Sequence, residues 1–365
     1  MEDYKEYFPK SKKVYFDHAT KSLPPSVSLI NLKPSRNYNH SFSEIARSNQ
    51  KLYLSIKSKL SQITGLNKDN IALLPNRNIA LNLIFHSLKL NGQNTVITSI
   101  SEDTSIITPM IKLFDISFFE KSDSEYTDID ILIYSCIDNI TGQIKSFDKK
   151  NKDQIKIIDA SFNLLTYNVK KHNADIIIAE LSIDALSPLP LCMIHIGEAY
   201  AKLQNPFPSD GNIQSYNKNK YIFHNDISSM ELGLIDYNVL HAFEKALDFS
   251  LQIGMKNIFE HKSLISKYLQ TKLSHISNLS VLIFPHYQND ILSHLSIQVS
   301  NAHDINLLLD EISNIEVRSG ELCSQIGISH YGLDNLIRIS WHLSTSKNDI
   351  DYLIDELIRI FEILN

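Results

Sequence analysis

Glycine is scarce in this chain: there are ten in 365 residues, few for a protein that holds a nucleotide or phosphate on a glycine-rich loop. Neither the dinucleotide fingerprint G-x-G-x-x-G nor the P-loop occurs. The three cysteines, Cys136, Cys192 and Cys323, lie far apart with no CxxC pair, so no disulfide framework or zinc site is expected. The histidines show neither HxxxH nor HxH spacing, which argues against a metal centre. No apolar run reaches the roughly 18 residues that a membrane span needs. Basic charge is not in excess either, the net charge being −6, so nucleic acid is not an expected partner. The opening Met1-Glu2-Asp3-Tyr4-Lys5 lacks the apolar core of a signal peptide, and the simplest expected placement is the cytosol.

What is present is ordinary for a soluble globular enzyme: 43% hydrophobic and 21% charged residues, rich in Asn, Ile, Lys and Ser. The length suits one large α/β domain with a smaller satellite. Short apolar runs at 70–74, 95–99, 129–135, 155–159 and 175–179 read as buried strands, and 43–64, 78–90 and 104–114 carry helical periodicity between some of them. Such alternation predicts a mostly parallel sheet covered on both faces. Beyond a polar stretch ending near Lys220 the pattern changes. One long helix is predicted over 237–259 and another over 262–275. They are followed by strands at 280–284 and 295–299, a helix at 304–312, strands at 315–319 and 336–341, and a closing helix at 348–364. The expected division is a large α/β domain over 14–236 and a linking helix with a small α+β domain over 237–365, onto which residues 1–13 pack.

Several stretches, in order from about Val14 to Phe361, resemble the class V aminotransferases and, among them, the SUF-type cysteine desulfurases. Val14-Tyr15-Phe16-Asp17-His18-Ala19 is similar to that family's opening strand, His40-Ser41-Phe42-Ser43 to its His-Thr-Leu-Ser, and Ile253-Gly254-Met255-Lys256-Asn257-Ile258 to the end of its linker helix. Val317-Arg318-Ser319-Gly320-Glu321-Leu322-Cys323-Ser324-Gln325 resembles the family's cysteine loop, and Ile337-Arg338-Ile339-Ser340 its Arg-Ala-Ser. The resemblance implies a fold-type-I, PLP-dependent-transferase architecture with a seven-stranded-type sheet. It implies that Cys323 is the persulfide-carrying cysteine and that Arg338 grips a substrate carboxylate.

The same resemblance implies a cofactor site. Asp159, ending Ile157-Ile158-Asp159-Ala160, falls where the family's aspartate protonates the PLP ring nitrogen, and Asn139 where its asparagine lies by the ring hydroxyl. The remaining positions depart from the pattern. The phosphate loop is Asn76-Arg77-Asn78-Ile79, with only the later Asn82 retained and Arg77 as a residual charge. The stacking histidine corresponds to Asp103, the glutamine near the ring oxygen to Phe162, and the partner-chain threonine to Leu234. With one residue of slack, the Schiff-base lysine corresponds to Ile183 or Asp184, and no lysine lies between Lys171 and Lys202. A positioned acid–base group supplies about 10²–10⁴-fold by itself, so the expectation is a vestigial site that takes no cofactor.

The expected function is therefore a non-catalytic partner, scaffold or regulator in sulfur metabolism, forming a homodimer or a heterodimer with a paralogue through segments resembling the family's crossing ones, His40–Ser43 and Met230–Asp236. Two alternatives stand beside it: a sulfur-handling protein whose Cys323 accepts a persulfide from a partner, and an active PLP enzyme with its lysine placed elsewhere. Each singled-out residue also has a plain structural reading: Cys323 as buried filler, Arg338 as an ion-pair residue, Asp159 as a cap, His40 as a packing residue. Cys136 and Cys192 are placed on or beside core strands. The loop Ser319–Gln325 is polar and contains Gly320, which predicts an exposed, weakly packed segment. Thiolate is the reactive form of cysteine, and Arg318 and Arg338 are the candidate positive charges beside Cys323, with Glu321 opposing.

Overall fold

The computed structural model describes residues 4–29, 44–90, 92–120, 129–148, 152–166, 168–197, 203, 206–207, 213–218, 220–224, 226–233, 235–277 and 279–364. His40–Ser43 and Leu234 lie outside them. The main sheet has seven strands: β1 (Ile71–Leu74), β2 (Thr95–Ser99), β3 (Asp115–Phe119), β4 (Ile131–Ser135), β5 (Ile155–Asp159), β6 (Ile176–Glu180) and β7 (Cys192–Ile196). Their order is β1-β7-β6-β5-β4-β2-β3. β3, β2, β4, β5 and β6 are parallel, whereas β7 runs antiparallel to both β1 and β6. Every residue of β4 and β5 is buried, Lys156 and Asp159 included, which is why those strands read as Ile-rich runs with little polar alternation.

Helices cover both faces. α1 (Glu44–Thr64) buries Ala46, Asn49, Leu52, Ile56, Leu60 and Thr64, a stripe at spacings of three and four, and packs on α4 (Tyr237–Ile253). α2 (Arg77–Leu90) lies against β6 and β7, and α3 (Thr104–Met110) against α2. The helix predicted over 237–259 is instead two helices. Gly254, at φ 86°, ends α4 and α5 (Met255–Leu273) begins at once. A left-handed residue breaks the helical path at little cost when it is glycine. The apolar periodicity runs across this break, so periodicity alone misplaced it.

A second, four-stranded antiparallel sheet is ordered β8-β9-β11-β10, from β8 (Ser280–Val281), β9 (His294–Gln298), β10 (Arg318–Ser319) and β11 (Leu336–Ser340). It shares a hydrophobic core with α5, α6 (Ala302–Glu311) and α8 (Lys347–Leu364), built on Leu269, Leu295, Ile297, Ile339, Trp341, Leu353 and Leu357. A short helix, α7 (Gln325–His330), follows the cysteine loop. The polar stretch before Lys220 contains a strand, Ile213–Asn217, paired with Lys220–Phe223. Near the start of the chain, Tyr4 meets His261 edge-on and Phe8 meets Phe249, so the first turns pack on α5 and α4. No helix among the described residues is long and apolar enough to cross a membrane.

The two sheets meet at the turn Asp138–Gly142, which follows β4. Asp138 Oδ1 accepts from the amides of Ile140 (3.1 Å) and Thr141 (2.9 Å), and His294 of β9 donates from Nε2 to the Asp138 carbonyl (3.0 Å). Gly142 adopts φ 75°, and a Cβ there would lie 1.7 Å from the His294 carbonyl oxygen. Gly142→Ala is therefore expected to cost about 3 kcal/mol or more through combined overpacking and backbone strain. Urea unfolding of the variant measures this; a loss below 1 kcal/mol, on the order of an ordinary surface change, would contradict the close contact.

Candidate active-site cleft

In open α/β sheets, ligand sites lie beyond the carboxyl ends of the strands. Here that edge gathers Ser101–Asp103 after β2, Ser135–Asn139 at the end of β4, Asp159 at the end of β5 and Glu180–Asp184 after β6. Arg318, Cys323 and Arg338 reach the same edge from the second sheet and its loops.

The cysteine loop is pinned by backbone contacts. Leu322 and Cys323 take φ of 51° and 57°, a left-handed pair that costs non-glycine residues about 1–2 kcal/mol each. Leu322 is buried in the main core. Its carbonyl accepts from Asn139 Nδ2 at 2.7 Å, Thr104 N donates to the Cys323 carbonyl at 2.8 Å, and Ser324 Oγ donates to the Ser101 carbonyl at 3.1 Å. The expected weakly packed loop is thus tied by three hydrogen bonds to two segments at the strand ends, 101–104 after β2 and the turn at Asn139 after β4. Composition showed its polarity but not its partners. Cys323 itself is half-buried, with Arg318 Nη2 donating to Sγ at 3.0 Å.

Asn139 connects this loop to Arg338. Its Oδ1 accepts from Arg338 Nη1 at 3.0 Å, while Nδ2 donates to Leu322 O and to Ser324 Oγ (2.8 Å). Arg338 also donates to Thr20 Oγ1 (3.3 Å) and lies 3.7 Å from Asp17 Oδ1. Burial pulls its guanidinium down to about 10, against the carboxylate of Asp17. Arg318 Nη1 bonds the same Thr20 hydroxyl at 2.9 Å, so the two arginines converge within reach of the cysteine. The site predicted as separate candidates, Cys323, Arg338 and Asn139, is one connected group.

Asp159 stands in a different set of contacts. Its Oδ1 accepts from Ser161 N at 2.8 Å, and its Oδ2 lies 2.5 Å from Arg77 Nη2. Although burial opposes charge, Asp159, Asp103 and Glu102 keep the Arg77 guanidinium firmly protonated. The amide of Arg77, the first residue of α2, donates to Glu180 Oε2 at 3.0 Å, and Asn76 Oδ1 caps Ile79 N at 3.0 Å. Asp103 caps α3 through Ser105 N at 2.7 Å. Asn82 makes a local bond to the Asn78 carbonyl.

The lysine position separates into two environments. Ile183 joins Phe162, Ala19, Ile137, Ile144 and Leu292 in an apolar cluster. Asp184 turns the other way: Oδ1 is 2.5 Å from Nζ of the fully buried Lys262 on α5 and 3.3 Å from His342 Nε2, while Oδ2 accepts from Leu165 N at 2.6 Å. Burial raises the Asp184 carboxyl, yet Lys262 and His342 bring it below its ordinary value. Lys262 was not identified from the sequence; a lysine inside the apolar stripe Ile258, His261, Ile265, Leu269 was the available signal. A second concealed pair, Lys145 with Glu102 (2.6 Å) and Asp138 (3.5 Å), lies beneath the cleft.

As they stand, these residues do not fit PLP in the manner expected from the resemblance: the free oxygen of Asp159 faces Arg77, Asn139 is committed to the cysteine loop, and Ile183 carries no amine. Among the described residues no group of three metal-ligating side chains stands together.

Comparison with known proteins places this geometry. The profile of the class-V aminotransferases matches residues 14–353. A probable cysteine desulfurase of Ureaplasma parvum serovar 3 is 24% identical over 394 aligned positions, covering 97% of this chain and 96% of that one. The apo structure of a cysteine desulfurase from Thermococcus onnurineus NA1 superposes with a TM-score of 0.85 at 18% identity, over 96% of this chain and 94% of the other. The cystine C-S lyase C-DES gives 0.79 at 15% identity, over 95% of this chain and 97% of the other, in complex with its reaction product cysteine persulfide. A lysine-to-alanine variant of C-DES carries glycine covalently linked to the PLP cofactor; it too gives 0.79 at 15%, over 97% of this chain and 98% of that one. At these identities the structural likenesses establish the fold. They also correct the expectation of a cleft that takes no cofactor. The family and its structural neighbours point to PLP as the cofactor.

Buried histidines around the cleft give a pH dependence. Burial holds His18 and His342 below the usual imidazole range and His294 down at about 3. Each is neutral when folded and binds a proton when unfolded, so stability is complete above the unfolded value of about 6.5 and declines as pH falls toward the folded ones. The unfolding free energy should drop by about 1.4 kcal/mol per pH unit from His294 alone between pH 6 and 5, with His18 and His342 adding in the same direction. Urea titrations at those pH values test this, with His294→Asn removing one increment of the slope. A flat profile would contradict neutral buried imidazoles.

Proposed function

The chain belongs to the aminotransferase class-V family, and from that premise we propose that it is a sulfur-handling, cysteine-desulfurase-like protein in which Cys323 accepts a persulfide sulfur and passes it on. The observation that carries this reading is the 3.0 Å contact from Arg318 Nη2 to Cys323 Sγ. The sulfur sits in a loop whose two left-handed residues, Leu322 and Cys323, are held by Asn139 and Thr104, and local backbone strain of this kind clusters at functional sites. The guanidinium donates to the sulfur and so fixes where the side chain points.

The transfer balances without an external oxidant or reductant. The Cys323 thiolate attacks the outer sulfur of a donor persulfide, R–S–SH. A new sulfur–sulfur bond forms on Cys323, the donor's own bond breaks, and R–S⁻ departs while the proton stays on the outer sulfur. Arg318 holds the attacking sulfur and Thr20 orients Arg318. The buried Arg338 fixes Asn139, which in turn fixes the loop. A free or protein-bound persulfide suits the donor role, and cysteine persulfide is the product seen with C-DES.

A second reading, a non-catalytic partner of an active desulfurase, is supported by the apolar surroundings of Ile183 and Phe162 where the resembling enzymes need polar groups. The two readings separate on Cys323. If it transfers sulfur, it should be alkylated at least about tenfold faster than Cys136 and Cys192, which are buried and pushed well above the usual thiol range by burial. Incubation with an active desulfurase and L-cysteine should add one sulfur atom to Cys323 by mass spectrometry, and Cys323→Ser should abolish this with the fold intact. Equal alkylation rates and no added sulfur would leave the partner reading.

A second chain belongs to this proposal, as a homodimer or a heterodimer with a paralogue. Support comes from the resemblance of Met230–Asp236 to the family's crossing segment. Light scattering at micromolar protein should return a dimer mass, alone or with the paralogue; a stable monomer in both cases would contradict it.

A further inference from the structure

The strand-end cleft contains two contacts that the sulfur chemistry of Cys323 does not use. The first is at Asp159, which is buried. One oxygen is committed to Ser161 N (2.8 Å), so a cationic ligand can approach only the other, Oδ2, and Arg77 Nη2 already stands 2.5 Å from it. That oxygen has no hydrogen bond of its own, and neither do Nε and Nη2 of Arg77, so the two groups meet as facing charges without good bond geometry. The second contact is at the start of α2. Glu180 Oε2 accepts the Arg77 amide at 3.0 Å and Asn76 Oδ1 accepts the Ile79 amide at 3.0 Å. The amides that a helix N-terminus offers to an anion are thereby partly taken by the chain's own oxygens.

From this geometry we infer that Arg77 and Glu180 are internal ligands of the cleft: Arg77 stands in for the flat ring cation of PLP on Asp159, Glu180 stands in for its phosphate at α2, and PLP must displace both to bind. A guanidinium is planar, delocalised and permanently charged, as a protonated pyridine ring is planar and charged, so the two compete for one carboxylate oxygen. A carboxylate at the helix start repels a phosphate directly. The competent cleft is then only a fraction of the population, and apparent affinity falls by that fraction. Arg77 and Glu180 therefore determine how much PLP the chain takes up, independently of whether Cys323 carries sulfur.

The experiment is equilibrium dialysis of PLP, and separately of pyridoxal, against the full-length protein and three variants. Arg77→Ala removes the competing cation and should bind both compounds at least about tenfold more tightly than the unaltered chain. Glu180→Gln should bind PLP more tightly with pyridoxal unchanged, because only PLP carries the phosphate. Arg77→Gln keeps a hydrogen-bond donor beside Asp159 and should lie between the native chain and Arg77→Ala; it serves where Arg77→Ala does not fold, as read by circular dichroism. Unchanged or weaker PLP binding in the Arg77 variants would overturn the inference and make Arg77 a phosphate ligand instead. Absence of binding by every form would overturn it as well.

Discussion

Buried charge is the constraint around which the interior of this protein is arranged. A charge removed from water costs several kcal/mol unless a counter-charge and hydrogen bonds meet it, and removing one partner of a buried pair costs about 3–5 kcal/mol. Three such groups lie within or beneath the strand-end cleft: Asp159 with Arg77, Asp184 with Lys262 and His342, and Glu102 with Lys145 and Asp138. Each joins elements that the chain brings together from far apart. Lys262 binds α5 to the loop after β6, and His342, just after β11, brings the second sheet to the same carboxylate. Lys145 ties the segment after β4 to the residues after β2. The Asp184 group thus joins the two sheets at the cleft, while the other two hold the strand ends of the main sheet together.

The cysteine loop depends on this arrangement. Asp138, a partner of Lys145, organises the turn that carries Asn139, and Asn139 bridges Arg338 to the carbonyl of Leu322. Two successive left-handed residues are tolerated at Leu322 and Cys323 because their carbonyls accept from Asn139 and Thr104 and the Leu322 side chain is buried. A residue whose counterpart in the resembling family lies by a cofactor ring here supports a loop instead. The same amide chemistry, one acceptor and one two-proton donor, permits either use.

Likeness in fold and difference in site coexist in this chain. The class-V aminotransferase pattern spans residues 14–353, and the strand ends carry a capping aspartate at 103, an arginine at 77 facing Asp159, and an isoleucine at 183 in an apolar cluster. Folds host many functions, and function is carried by the site. The comparisons point to PLP, and the geometry shows what PLP meets in this cleft: a carboxylate already facing a guanidinium, and helix amides already bonded to Glu180 and Asn76.

Much of the architecture was legible in the sequence. The Ile-rich runs gave β2, β4, β5 and β6 almost to the residue, because strands buried on both faces leave little polar alternation to confuse. The order of motifs identified the family, and the absence of lysine between Lys171 and Lys202 was visible directly. β7 went unread because Cys192–Ile196 closely follows Pro188 and Pro190, which mark a turn. The Gly254 break was hidden because apolar spacing continues across it. What only the tertiary structure decided is which groups meet: that Asp184 faces Lys262, 78 residues away, that Arg77 faces Asp159, and that Asn139 bridges Arg338 to the residues on either side of Cys323. Local propensity and periodicity act over a few neighbours, whereas the pairing of buried charges depends on where the completed fold excludes water.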